Sequence, residues 1–171
     1  MLFRSVKFGF DMAIKMTTPP EALDRFLTAA FTIIRNEVSN ALAKLGVECV
    51  AKIRDRSSKE SWIDHTGNLR SSIGFAVYDH GLRKIQSSFQ TVMGGSDGSS
   101  EGRKMINNLA NEYSKVYALV VVAGMNYAEY VESLESKDVL ASTELWAKDV
   151  IDARLERAKK SALANIEKLS L

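Results

Sequence analysis

The chain has 171 residues, of which 46% are apolar and 26% charged, and a formal net charge of +2. That length suits a single domain whose core needs neither disulfides nor metals, and the composition excludes wholesale disorder. A balance of 23 basic to 21 acidic residues excludes a bulk polyanion binder and leaves room only for a local basic patch.

The single cysteine, Cys49, cannot form an internal disulfide, which fits a reducing compartment. It sits in a periodic apolar stretch and reads as a small core residue. No run of about 18 apolar residues exists, so no membrane span is expected. At the start, Lys7, Asp11 and Lys15 interrupt the apolar residues, so no signal peptide is expected and the product should stay in the cytoplasm that makes it.

Residues 2–16 alternate, with Phe3, Val6, Phe8, Phe10 and Met12 largely on one side and Arg4, Lys7, Asp11 and Lys15 between them. A strand is expected, with a bulge near Gly9. Thr18 then suits an N-cap, Pro19 a first helical turn, and Glu21 a capping box. Apolar residues follow at three- and four-residue steps from Leu23 to Ile53, predicting an amphipathic helix to about Arg54, roughly 50 Å long. Gly46 is expected to loosen it. A helix this long outspans a compact domain, so either one end is an oligomer contact or the domain is a long two-layer fold.

Residues 55–62 read as a polar loop with Trp62 as a core anchor. In Asp64-His65-Thr66-Gly67, Gly permits positive φ, and Asp and Thr can accept nearby backbone N–H groups. Thr66 is the expected cap of one helical turn through Asn68–Ser71, with Leu69 pointing in and Arg70 out. Ile73, Phe75 and Val77 alternate with Gly74, Ala76 and Tyr78. After Asp79-His80-Gly81 the alternation resumes over 84–92, predicting a β-hairpin.

Residues 94–102 hold four glycines and three serines and read as a mobile Gly/Ser loop. A helix is expected over 101–114. Residues 116–123, VYALVVVA, form the most β-prone run, and their unbroken apolar character predicts a central strand covered on both faces. A short helix follows over 127–135, then a polar connection, then a long helix over about 143–169. On that helix Glu144–Lys148 and Glu156–Lys160 are i,i+4 pairs, each contributing about 0.3 kcal/mol. The expected fold is α+β: an antiparallel-rich sheet of about four strands packed on one face by the long N-terminal and C-terminal helices.

No catalytic site assembles from the sequence. His65 and His80 lack metal-ligand spacing, and neither Ser61 nor Ser71 sits in a nucleophile elbow. The Gly-rich stretch before Arg103-Lys104 lacks phosphate-loop spacing. Basic residues are scattered, with no RNA-binding signature. No cofactor or metal is expected, and weight moves from enzyme to structural or interaction protein.

The run Thr66-Gly67-Asn68-Leu69-Arg70-Ser71-Ser72-Ile73-Gly74 resembles the TGxLRxSI signature of tailed-phage and prophage neck proteins, also called tail-completion, head–tail joining or minor tail Z-like proteins. Tyr127-Ala128-Glu129-Tyr130-Val131-Glu132 matches that family's YAxYVE stretch. The two occur in the family's order, between a long helix and a C-terminal helix, over roughly residues 20–165. The family's proline-containing approach to the TG turn is absent, as is its Gly-Thr turn and Pro-Phe-Leu segment after YAxYVE. The N-terminal strand and the Gly/Ser loop are additions.

The resemblance implies a non-enzymatic virion protein that forms a ring in the neck, meets the portal-side connector and the tail tube or terminator, and touches DNA in the channel only non-specifically. It implies a structural role for Thr66, Gly67, Asn68, Leu69, Arg70, Ser72, Ile73, Tyr127, Ala128, Tyr130, Val131 and Glu132. An ion pair from Arg70 to Glu129 or Glu132 is a further expectation. The alternative is a nucleic-acid-binding accessory protein of a phage or prophage. A third reading is an enzyme built from Asp64, His65 and His80.

Overall fold

The computed structural model describes residues 19–57, 62–134 and 137–169. The elements are α1 (Pro20–Arg54), α2 (Asn68–Ser71), β1 (Ile73–Asp79), β2 (Leu82–Gln86), α3 (Ser96–Leu109), a 3-10 turn (Ala110–Tyr113), β3 (Tyr117–Ala123), α4 (Ala128–Ser133) and α5 (Ala141–Ile166). The fold is α+β, with a sheet packed by the long helices α1 and α5.

Among the described residues the sheet has three strands, not four, in the order β2-β1-β3, with both pairings antiparallel. The strand expected over 2–16 lies outside the described residues. β1 is the central strand and is buried at all seven positions. β3, expected at the centre, lies at an edge of the sheet formed by the described residues. Its continuous apolar character comes from cover on both faces, which hydropathy cannot distinguish from central pairing.

Alternation divides the two faces. Phe75 and Val77 of β1 pack with Leu119 and Val121 of β3 against Leu42 and Val38 of α1 and Ile151 and Leu155 of α5. Ala76 and Tyr78 pack with Val120 and Val122 against Ile106 of α3 and the ring of Phe89. The long helices thus pack one face, as expected, and α3 with Phe89 covers the other. Tyr78 donates its hydroxyl to the Ile106 carbonyl at 2.6 Å and stacks on Tyr113.

α1 is unbroken over 35 residues, so about 52 Å long. Its N-cap is Pro19, one residue later than expected, and Thr18 lies outside the described residues. Gly46 does not loosen it. A Cβ there would lie 2.4 Å from the Phe75 ring, so the glycine is the notch that seats β1 on the helix. α5 runs antiparallel to α1 and is tied to it by a bidentate pair from Arg154 to Glu48 at 2.7 and 2.6 Å and by Asn165 to Glu37 at 3.1 Å. The Arg154 hydrogen bonds come first among the causes that hold the Glu48 carboxyl below its usual pKa. Cys49 is buried as expected, and burial pushes its thiol up. On the outer face of α5, Lys148 pairs with Glu144, but Glu156 pairs with Lys159 rather than Lys160.

The stretch 94–102 is not a mobile loop. From Ser96 it is the first half of α3, and Gly98, Ser99 and Gly102 are buried. Its small residues allow backbone to approach backbone: a Cβ on Gly98 would lie 1.9 Å from the Asn68 carbonyl oxygen, and one on Gly102 2.6 Å from that of Ser72. The second hairpin strand also ends earlier than expected, at Gln86. Beyond it Ser87 caps the ladder through Phe75, and Phe89 adopts φ 52° with its ring turned under α3.

Candidate functional site

The two motifs meet. Leu69 and Ile73 from the first share one buried cluster with Ala128 from the second, together with Ile53, Trp62, Ala123 and Val139, and Val131 packs against it. Gly67, Leu69, Ser72, Ile73 and Ala128 are buried; Asn68, Arg70, Val131 and Glu132 are half-buried; Thr66, Tyr127 and Tyr130 are exposed. The arrangement is a joint where α1, α2, α3, β1, β3 and α5 converge.

The turn is built around Gly67 and Asp64. Gly67 has φ 76°, a left-handed conformation that costs an L side chain energy and glycine little. The cap is Asp64 rather than Thr66. Its Oδ1 accepts the Gly67 N–H and its Oδ2 the Arg70 N–H, both at 2.9 Å, whereas Thr66 Oγ1 receives only the Asn68 N–H at 3.3 Å. A signal for this was present: Asp three residues ahead of a glycine fits an Asx-type turn.

Asn68 and Ser71 tie the turn to the chain entering α3. The Gly98 N–H donates to Asn68 Oδ1 at 3.1 Å, and the Val92 N–H donates to Ser71 Oγ at 2.9 Å. Ser72 donates its hydroxyl to the Leu69 carbonyl at 2.8 Å and accepts the Gly124 N–H on its own carbonyl at 3.2 Å, linking the turn to the end of β3.

Arg70 does not reach Glu129 or Glu132. Its guanidinium donates to the Arg54 carbonyl at the end of α1 and lies 5.7 Å from the centre of the buried Trp62 ring. It caps a helix C-terminus, where a cation is favoured by the exposed carbonyls. Arg54 in turn donates to the Gln90 carbonyl at 2.9 Å, and burial, then the nearby Arg70 charge, lowers its pKa.

Glu132 serves the opposite helix end. Its carboxylate accepts N–H groups from Val139, Leu140 and Ala141 at 3.2, 2.7 and 2.9 Å, the amides that open α5. Leu140, the N-cap residue of α5, offers no side-chain cap. Arg56 reinforces the same corner by donating to the Asp138 carbonyl and Ser142 Oγ, both at 2.8 Å, to Thr143 Oγ1, and to the Asp138 carboxylate at 2.8 Å. No local spacing in the sequence connects Arg56 to residues so distant along the chain.

Tyr127 completes the contact between the motifs. Burial, then the Asp64 carboxylate, pushes its hydroxyl pKa up, while the Thr66 hydroxyl acts the other way. Tyr130 is left 67% exposed, with no packing role to explain its ring.

The structure does not bring Asp64, His65 and His80 together. Asp64 is committed to backbone N–H groups before β1, and His80 lies beyond the other end of β1. His80 Nδ1 is 2.7 Å from Asp79 Oδ1, and its ring meets Tyr117 edge-on. Among the described residues no three His, Cys, Asp or Glu groups gather as metal ligands, and no helix is long and apolar enough to cross a membrane. Asp64, Asn68, Ser71, Ser72, Arg70 and Glu132 are engaged in holding backbone, which suits a positioning device, while the buried Trp62 indole N–H has no hydrogen-bond partner among the described residues. Comparisons with protein-family models, curated proteins and solved structures gave no match.

Proposed function

We propose that the chain is a structural protein of a tailed-phage virion, made in the host cytoplasm, that assembles as a ring in the neck and joins the tail to the head-side connector. The observation that carries this reading is the convergence of the two ordered motifs on one joint. Leu69, Ile73, Ala128 and Val131 share a core there, and Asp64, Arg70 and Glu132 cap chain ends around it. A joint of this kind supports work done by surfaces. Its neighbours in the virion would be copies of itself, the connector, and the tail tube or terminator, with DNA passing through the channel.

Exposed apolar residues support self-assembly. Leu27 and Phe31 lie on the N-terminal half of α1 with 43% and 61% of their surface open, and Tyr130 stands on the joint itself. Light scattering on the purified chain and immunolocalisation on virions test the reading. A ring-sized species, or a ring formed on assembled heads, together with label at the neck is the expected result. A protein that stays monomeric in both settings and is missing from virions rejects it.

A further inference from the structure

Arg35, Arg56 and Arg154 lie 3.7, 2.8 and 2.6 Å from the carboxylates of Asp79, Asp138 and Glu48. Arg54 and Arg70 differ. Both are half-buried, they lie beside one another where α1 ends, and among the described residues neither forms an ion pair. Like charges so placed repel, and the repulsion grows as burial thins the water between them. Arg54 registers it: burial, then the Arg70 charge, lowers its pKa, with Asp55 acting the other way.

Neither cation is free to withdraw. Arg70 is held by the Arg54 carbonyl and the Trp62 ring, and Arg54 by the Gln90 carbonyl at 2.9 Å. The C-terminal carbonyls of α1 carry only about half an elementary charge, which does not offset two cations. A guanidinium also has more N–H donors, set in a planar fork, than the single one that Arg54 spends on Gln90.

Both arginines line a cleft of about 530 Å³ between α1 and the stretch 88–92. That size falls in the range of ligand sites, about 300–1,000 Å³. The rest of the wall is largely apolar, with Val47 and Val50 of α1, Phe75 of β1 and Phe89, while Asp55 is its one acidic group. Val47 is 59% exposed, so a bound segment can reach it.

We propose that this cleft binds a carboxylate carried on an apolar segment of a partner protein, an Asp or Glu with apolar neighbours. The Arg54 fork receives the carboxylate, whose planar pair of oxygens matches it, and the Arg70 charge stands beside it. The apolar neighbours of the acid cover Val47 and Val50. The walls decide which anion fits. A nucleic-acid backbone is met by rows of basic side chains, and in this cleft its phosphates would lie against valine and phenylalanine. Asp55 also repels a polyanion more than it repels a single carboxylate. The site needs no second copy of the protein and does not depend on the virion reading.

The blocked peptide acetyl-Leu-Asp-Leu-amide tests this on the unaltered chain, with the Nε–H signals of Arg54 and Arg70 followed in proton–nitrogen correlation spectra. The expected result is a saturable shift of both signals, with acetyl-Leu-Asn-Leu-amide binding about tenfold more weakly, because it has the same shape without the charge. Arg54→Gln should weaken the Asp peptide by about tenfold and leave the Asn peptide as it was. Comparing two peptides on one protein separates recognition from any change of fold. Equal binding of the two peptides, no saturable shift of either signal, or undiminished binding of the Asp peptide by Arg54→Gln overturns the proposal. So does a thymidine oligonucleotide that shifts the same signals at lower concentration than the peptide and loses affinity steeply with salt, which would make the site one for nucleic acid.

Discussion

Gly46 and Asp79 show how partners distant in the chain decide what a side chain contributes. Replacing a helix-interior glycine by alanine ordinarily stabilises by up to about 1 kcal/mol. At Gly46 the new Cβ would press on the Phe75 ring, which is itself 4% exposed and has little room to yield. Gly46→Ala is expected to lower stability by about 1–3 kcal/mol, as overpacking does, seen as a lower urea midpoint at unchanged slope. Phe75→Leu in the same chain should restore part of the loss; a stabilised Gly46→Ala would show that the ring moves aside. For Asp79, burial acts to raise the carboxyl pKa, but the His80 hydrogen bond and the Arg35 and Lys84 charges outweigh it and hold the group below its usual range. Its folded value is then lower than its unfolded one, about 3.9. The stability it contributes is present above that unfolded value and is lost as the pH falls through the folded one. Unfolding curves at a series of pH values should show Asp79→Asn less stable near neutrality and flatter than the parent in acid; parallel profiles would contradict the depressed pKa. Neither residue could be read this way from the sequence, where Gly46 is only a weak helix former and Asp79 only part of a turn.

At the level of elements, the three- and four-residue apolar period announced α1 and α5, because each buries one stripe and the pattern records it; the hairpin was read from alternation around Gly81, although β1 is buried at all seven positions and β2 at none. The glycines of 94–102 misled, since flexible and closely packed glycines look alike until the packing partner, here α2, is known. Charge complementarity likewise pointed Arg70 to a carboxylate, whereas a helix C-terminus and an aromatic face satisfy it. The corresponding carboxylate, Glu132, holds the first amides of α5. Removing it in Glu132→Ala leaves those amides without their acceptor and should cost about 1–2 kcal/mol, the range of a lost N-cap. Glu132→Gln, which keeps one acceptor oxygen, should cost less. Denaturant midpoints give both values, and a neutral Glu132→Ala would mean that Arg56 and Asp138 hold the corner alone. The pair Glu48–Arg154, with the Glu48 side chain 42% exposed, should show a double-mutant coupling of no more than about 1 kcal/mol despite its bidentate geometry.

For the whole molecule, the exposed stripe of α1 is where the proposed assembly can be tested apart from folding. Leu23, Leu27, Phe31 and Ile34 recur at helical spacing and are all exposed. Phe31→Asp should therefore leave the thermal midpoint within about 2 °C of the parent, as surface changes usually do, while abolishing the proposed ring on assembled heads. A variant that still assembles would remove this stripe from the ring contact, and one that unfolds would show that the stripe is covered within the monomer. The stripe was legible as part of the helical period. Which end of it would be left outside the core was not, because that depends on where α5 stops.

α5 ends one residue beyond Asn165, its contact with Glu37, while α1 continues from there to Pro20, about 25 Å further. Mechanically, α1 is a rod clamped along one half. A tilt of about 5° at the clamp carries its free tip about 2 Å sideways, a displacement set by the length of the rod and not by any contact at the tip. The seating of Phe75 in the Gly46 notch and the grip of Arg154 on Glu48 thus set the aim of a surface far from either.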